Sequence, residues 1–95
     1  MRDTVHHAQQ FLLVDGLDGQ KRLLDIECLL SLHPPEIVVG LIDQLIYENK
    51  TKLKRLLRRD KSDPRVDQTA ARIFRFKMSR STLANYIRQQ ADEAA

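Results

Sequence analysis

Apolar residues recur along this chain at intervals of three and four, the spacing of helices that bury one face. The clearest segment is Gln20 to Leu32, where Leu23, Leu24, Ile26, Leu29, Leu30 and Leu32 form a broad apolar face behind Asp18, a suitable N-cap. Before it, Val5 to Val14 is apolar enough at Phe11, Leu12, Leu13 and Val14 to pack, and Asp15-Gly16-Leu17-Asp18-Gly19 reads as a turn. His33-Pro34-Pro35 closes the second helix, because proline keeps the residue before it out of the helical region, while Pro35 is suited to open the next helix. That helix is predicted to run from Pro35 to about Arg59, with no Gly or Pro after Gly40.

Its character changes midway. Up to Tyr47 it is apolar on much of its circumference (Ile37, Val38, Val39, Leu41, Ile42, Leu45, Ile46), and beyond Asn49 the stripe narrows to Leu53, Leu56 and Leu57. Ser62-Asp63-Pro64 then combines a stop with a start, with Ser62 or Asp63 as cap and Pro64 in the first helical position. From Pro64 the apolar positions Val66, Ala70, Ile73 and Phe76, flanked by Phe74, predict a fourth helix with Gln68, Arg72 and Arg75 outward. Lys77-Met78-Ser79 breaks the pattern, and Ser79 is placed to cap a last helix from Arg80 to about Ala91. Leu83, Ile87 and Ala91 would form its buried line, with Ala84 or Tyr86 alongside. The expected fold is all-α, a small bundle of four or five helices in a single domain spanning residues 1–95.

With 95 residues there is little core to spare for an internal cavity, and few aromatics, glycines and prolines fit a helical chain better than a β fold. No apolar run reaches the roughly 18 residues of a membrane span, and the first residues lack the apolar core of a signal peptide, so a cytoplasmic protein is expected. The single cysteine, Cys28, permits no internal disulfide and makes the Asn49-Lys50-Thr51 sequon accidental.

Charge divides the chain. Residues 1–49 hold three basic and eight acidic residues, a net of −5, whereas residues 50–95 hold thirteen basic and five acidic, a net of +8. Cations at a helix C-terminus complement its dipole, but Lys50, Lys52, Lys54, Arg55, Arg58 and Arg59 are more than that needs. The acidic, apolar first half is read as an oligomerisation hairpin, since two short C-terminal helices cannot cover all its apolar surface, and a homodimer is expected. The basic half is read as a surface for an anionic partner.

Two short helices joined at Lys77-Met78-Ser79, the second beginning Ser79-Arg80-Ser81-Thr82-Leu83, resemble the helix-turn-helix of bacterial and phage DNA-binding proteins over about residues 66–91. Phe76, Met78, Leu83 and Ile87 fill that motif's buried slots, while Lys77 stands where such turns generally carry Gly. The resemblance implies a small DNA-binding regulator of transcription or an accessory protein, nucleoid-associated, with DNA preferred to RNA. Arg80, Ser81, Thr82, Asn85 and Gln89 would face base edges, while Arg72, Arg75, Lys77 and Arg88 would hold the phosphates. Lys52, Lys54, Arg55, Arg58 and Arg59 extend this nucleic-acid-binding set. The alternative is an adaptor or inhibitor whose basic face binds an acidic protein.

Other constellations point away from chemistry. His6, His7, Cys28 and His33 lack the paired half-sites of a zinc centre, so no metal is expected. Cys28 reads as a buried thiol in an apolar helix, and Asp25, Glu27, Glu36, Asp43 and Glu48 as a solvated face. No Gly-rich phosphate loop is present, and neither enzymatic activity nor a cofactor is expected. Ile26-Glu27-Cys28-Leu29-Leu30 and Leu53-Lys54-Arg55-Leu56-Leu57 have the form of helices that dock into coregulator grooves, which is also the ordinary spacing of a core helix.

Overall fold

A computed structural model describes residues 2–16 and 18–94, with the side chains of Arg2, Asp3 and Ala94 outside the description; Leu17 of the expected turn lies outside it too. Four helices follow in order: α1 (Arg2–Val14), α2 (Gly19–Leu32), α3 (Pro35–Arg59) and α4 (Pro64–Ala94). The described residues are all helix and turn. Most starts and stops have the chemistry read from the sequence. Asp18 accepts a hydrogen bond from the Gln20 amide at 2.9 Å, Pro35 occupies the opening turn of α3, and the His33 amide closes α2 on the Leu29 carbonyl at 2.9 Å.

Helices α3 and α4 form a long antiparallel hairpin through the short Asp60–Asp63 link, and this is the dominant contact of the fold. The core joins Val5, Ala8 and Leu12 of α1 to Ile26 and Leu29 of α2, Val38, Ile42, Leu45 and Ile46 of α3, and Phe76 and Leu83 of α4. No residue between Ile46 and Phe76 belongs to that cluster. Buried Asn49, Leu56, Thr69 and Ile73 hold this far end of the hairpin together instead. Asn49 is accommodated because its side-chain amide donates to the Leu45 carbonyl of its own helix at 2.7 Å.

The expected break at Lys77-Met78-Ser79 is absent. Helix α4 runs unbroken through it for 31 residues, so the chain has four helices and no turn separates residues 66–76 from 80–91. Ser79 is not an N-cap but a fully buried residue in the packed stripe Thr69, Ile73, Phe76, Ser79, Leu83, whose spacing of 4, 3, 3 and 4 never lapses. A small residue facing the core resembles a gap in the apolar pattern when only large side chains are counted. Lys77 is neither Gly nor Pro, and among the described residues no non-glycine backbone has positive φ, so nothing local stops the helix.

Several side chains lie elsewhere than the pattern implied. Cys28 is exposed, because Ile26 and Leu29 define the inner face of α2 and Cys28 falls opposite. Asp25 is buried rather than solvated, as is Arg22 one turn before it, whose guanidinium donates to the Gly16 carbonyl. Arg72 and Arg75 are half-buried, Thr69 takes the core position expected of Ala70, and Ala70, Ala84 and Ala91 are exposed.

Desolvation, and then the neighbouring Asp15 carboxylate, push the Asp25 carboxyl up to about 6 from its ordinary 3.8. The folded chain therefore holds a proton that the unfolded chain releases between these values, and stability falls as pH rises through that window. Asp25→Asn should melt above wild type at pH 7, with the difference vanishing as the pH falls toward 4; calorimetry showing a constant difference would contradict this assignment. Arg80→Pro tests the continuity of α4. Proline at the first position of a separate helix is tolerated, whereas inside a helix it costs about 3 kcal/mol or more, so a large loss of stability in denaturant melts is expected.

Candidate nucleic-acid interface

The link between α3 and α4 is built from two aspartates whose oxygens face local donors. Asp60 accepts from the Ser62 amide at 3.0 Å and the Ser62 hydroxyl at 2.7 Å, and these bonds hold its carboxyl below the ordinary range. Asp63 caps α4 by accepting from the Arg65 amide at 2.9 Å and also receives the Arg65 guanidinium, with the closest approach at 2.7 Å. Those bonds to Arg65, aided by nearby Arg59, hold the Asp63 carboxyl down near 2. Both carboxylates are thus committed to the turn.

Beside this turn lies an open groove of about 490 Å³, lined by Glu48, Lys52, Arg55, Leu56, Arg59 and Arg65. Its α3 members follow from helical geometry: Glu48, Lys52, Arg55 and Arg59 recur at 4, 3 and 4, which stacks them on one side of the helix. Leu56 is 5% exposed and supplies an apolar floor. Lys52 to Arg59 spans about 10 Å of axis at 1.5 Å per residue, so the three cations follow one side of the helix over two turns. Lys54 and Arg58 are exposed on α3 outside the groove, so the five predicted α3 cations are not all brought together in it.

The α4 residues of the predicted set do not join them. Phe74, Lys77, Met78, Ser81, Thr82 and Asn85 line a shallow hollow on the outer face of α4, while Arg72 and Arg75 line another with Asp67, Gln68 and Ala71. Arg80 instead reaches across to α3, its Nε donating to Asp43 Oδ1 at 2.5 Å. The Thr82 hydroxyl donates to the Met78 carbonyl of its own helix at 3.0 Å. Arg88 and Gln89 are exposed further along the same helix. The Arg80–Asp43 pair sets the register, placing Asn85 roughly 20–30 Å along the hairpin from Lys52 and Arg59. The candidate residues therefore occupy separate surfaces.

Arg65 was missed by sequence reasoning. The available signal was its place two residues after Asp63, at the start of α4, where an aspartate N-cap pins the side chain beside the end of α3. Among the described residues no group of three potential ligands could hold a metal ion, and no helix is long and apolar enough to cross a membrane. The chain matches no protein-family model, no curated protein and no solved structure.

Both partners of the Arg80–Asp43 pair are close to half exposed, which screens their attraction. A double-mutant cycle with Arg80→Ala and Asp43→Ala should give a coupling below about 1 kcal/mol in denaturant melts; a larger value would make the pair, rather than the apolar stripe, the source of hairpin stability.

Proposed function

We propose that this chain binds nucleic acid, duplex DNA in preference to RNA, by holding the phosphate backbone on the basic end of the α3–α4 hairpin. The observation that carries the reading is the groove of Lys52, Arg55 and Arg59 over Leu56, where Asp60 and Asp63 are engaged by the turn and the one lining carboxylate, Glu48, accepts from Gln44 rather than from a cation. Cations without carboxylate partners gain from phosphate because binding releases condensed counterions. Exposed Lys54 and Arg58 outside the groove, with Lys50 and Lys61, widen the field around the contact.

The contacts in this reading are made to phosphates, which gives affinity with little sequence preference. It describes an accessory protein of the nucleoid with a binding role and no catalysis. A second reading draws on exposed Phe74 beside Lys77 and Met78, a surface suited to an acidic protein segment with an apolar anchor.

Fluorescence anisotropy with arbitrary duplex DNA, single-stranded DNA and RNA across a salt series separates the two. Three groove cations predict a log–log salt slope of about −3 for duplex DNA, at roughly −0.9 per phosphate neutralised. Lys52→Glu, Arg55→Glu and Arg59→Glu together should abolish that binding while leaving helical content intact, since all three side chains are exposed. Undiminished affinity in the triple variant would sink the phosphate-groove reading, and loss of a protein partner on Phe74→Ala would favour the second.

A further inference from the structure

A second cationic surface on α3 lies outside the groove. Tyr47, Lys54 and Arg58 are separated by seven and four residues, and Lys50 stands three beyond Tyr47 and four before Lys54, so these four share one side of the helix. All four are exposed, and Tyr47, at 71%, is more exposed than Phe74, at 62%. Among the described residues none of the three cations pairs with a carboxylate, and Asp43, one turn before Tyr47, is held by Arg80 at 2.5 Å. The residues three and four positions from Tyr47 on either side are Asp43, Gln44, Lys50 and Thr51, all polar.

We propose that this strip binds an unpaired nucleic-acid strand, with a base stacked on the Tyr47 ring and the adjoining phosphates held by Lys50, Lys54 and Arg58. An aromatic ring set in a cationic track holds single strands without regard to sequence, since every base has a π-face and every nucleotide a charge. In a duplex both faces of a base are covered by its neighbours, so the ring selects for unpaired bases. An acidic protein segment would satisfy the cations, but its apolar anchor would find only polar residues within one turn of Tyr47 on α3; a flat base needs the ring alone. The inference goes beyond the phosphate groove and uses none of Lys52, Arg55 or Arg59, so either can fail with the other standing.

The composition of the chain makes the strip readable. It has two tyrosines, Tyr47 and Tyr86, and no tryptophan, so in a Tyr86→Phe background the ultraviolet emission reports Tyr47 alone. A stacked base quenches that emission, whereas an anion that meets only the cations leaves the ring in water.

In the full chain carrying Tyr86→Phe, a short oligothymidylate is expected to quench the emission, while an abasic oligomer of equal length and an oligoglutamate of equal charge bind more weakly and leave it unchanged. Tyr47→Ala should weaken oligothymidylate binding about fivefold or more, the effect of losing one stacked base, with Tyr47→Phe near wild type. Lys50→Gln, Lys54→Gln and Arg58→Gln together should flatten the log–log salt slope by about 2, at roughly 0.7 per phosphate on a single strand. Helicity should hold in all of these, because the side chains are exposed. Lys52→Gln, Arg55→Gln and Arg59→Gln should lower duplex affinity and leave the Tyr47 quenching in place, which keeps failure of the groove distinct from failure of the strip. Equal affinity for the abasic oligomer, or indifference to Tyr47→Ala, would overturn the proposal, and oligoglutamate bound as tightly as oligothymidylate would make the strip a surface for an acidic protein instead.

Discussion

The unbroken buried stripe of α4 is the constraint on which the other features depend. Thr69, Ile73, Phe76, Ser79 and Leu83 hold one side of a 31-residue helix against the protein, and the short Asp60–Asp63 link forces α3 to run back along it. Because the helix does not bend at Lys77-Met78-Ser79, the hairpin is one stiff unit, with α1 and α2 packed on the half where the core cluster lies. The other half is left as two helices closed by Leu56, Asn49, Thr69 and Ile73. That is where Lys50 to Lys61 are concentrated, so the charge asymmetry of the sequence becomes a spatial one.

The two ends of the molecule treat charge in opposite ways. At the basic end the aspartates serve the turn, each satisfied by local donors, and the cations remain in water where they cost little. At the α1–α2 junction Arg22 and Asp25 are buried, and Arg22 Nε and Asp25 Oδ2 have no hydrogen-bond partner. Taking Asp25 as neutral resolves half of this, since a protonated carboxyl beside Asp15 can donate to it, in keeping with the raised pKa. Arg22 is held separately, by donating to the Gly16 carbonyl.

Much of the fold was legible in the sequence because the signals were local and chemical. Asp18, Pro34, Pro35, Asp63 and Pro64 act where their side chains and missing amides dictate, and each marks a boundary that the structure keeps. What could not be read was which polar or small residues face inward. Ser79 and Thr69 fill places where neighbouring elements come close, and burial of Arg22 and Asp25 is decided by where the α1–α2 turn lies, which no periodicity encodes. The same applies to the site. The basic run on α3 was evident as charge, but which of its cations line the groove, Lys52, Arg55 and Arg59, and which lie outside it, Lys54 and Arg58, needs the partner helix that brings in Arg65.

Continuity of α4 also changes what kind of recognition the chain can perform. A helix that starts at Ser79 would present free backbone N–H groups near Arg80 to Leu83 to a phosphate, along with side chains fanned from its first turn. In an unbroken helix those amides are bonded to carbonyls one turn back, Arg80 is drawn to Asp43, and the Thr82 hydroxyl is used by Met78. Free amides for an anion remain at the start of α4, where Asp63 already occupies the Arg65 amide with a negative charge of its own. Side-chain cations are then the means left for meeting phosphate, and they are concentrated at Lys52, Arg55 and Arg59. Contacts of that kind depend on salt and tolerate sequence, so under the proposed function the chain would grip a backbone rather than read bases.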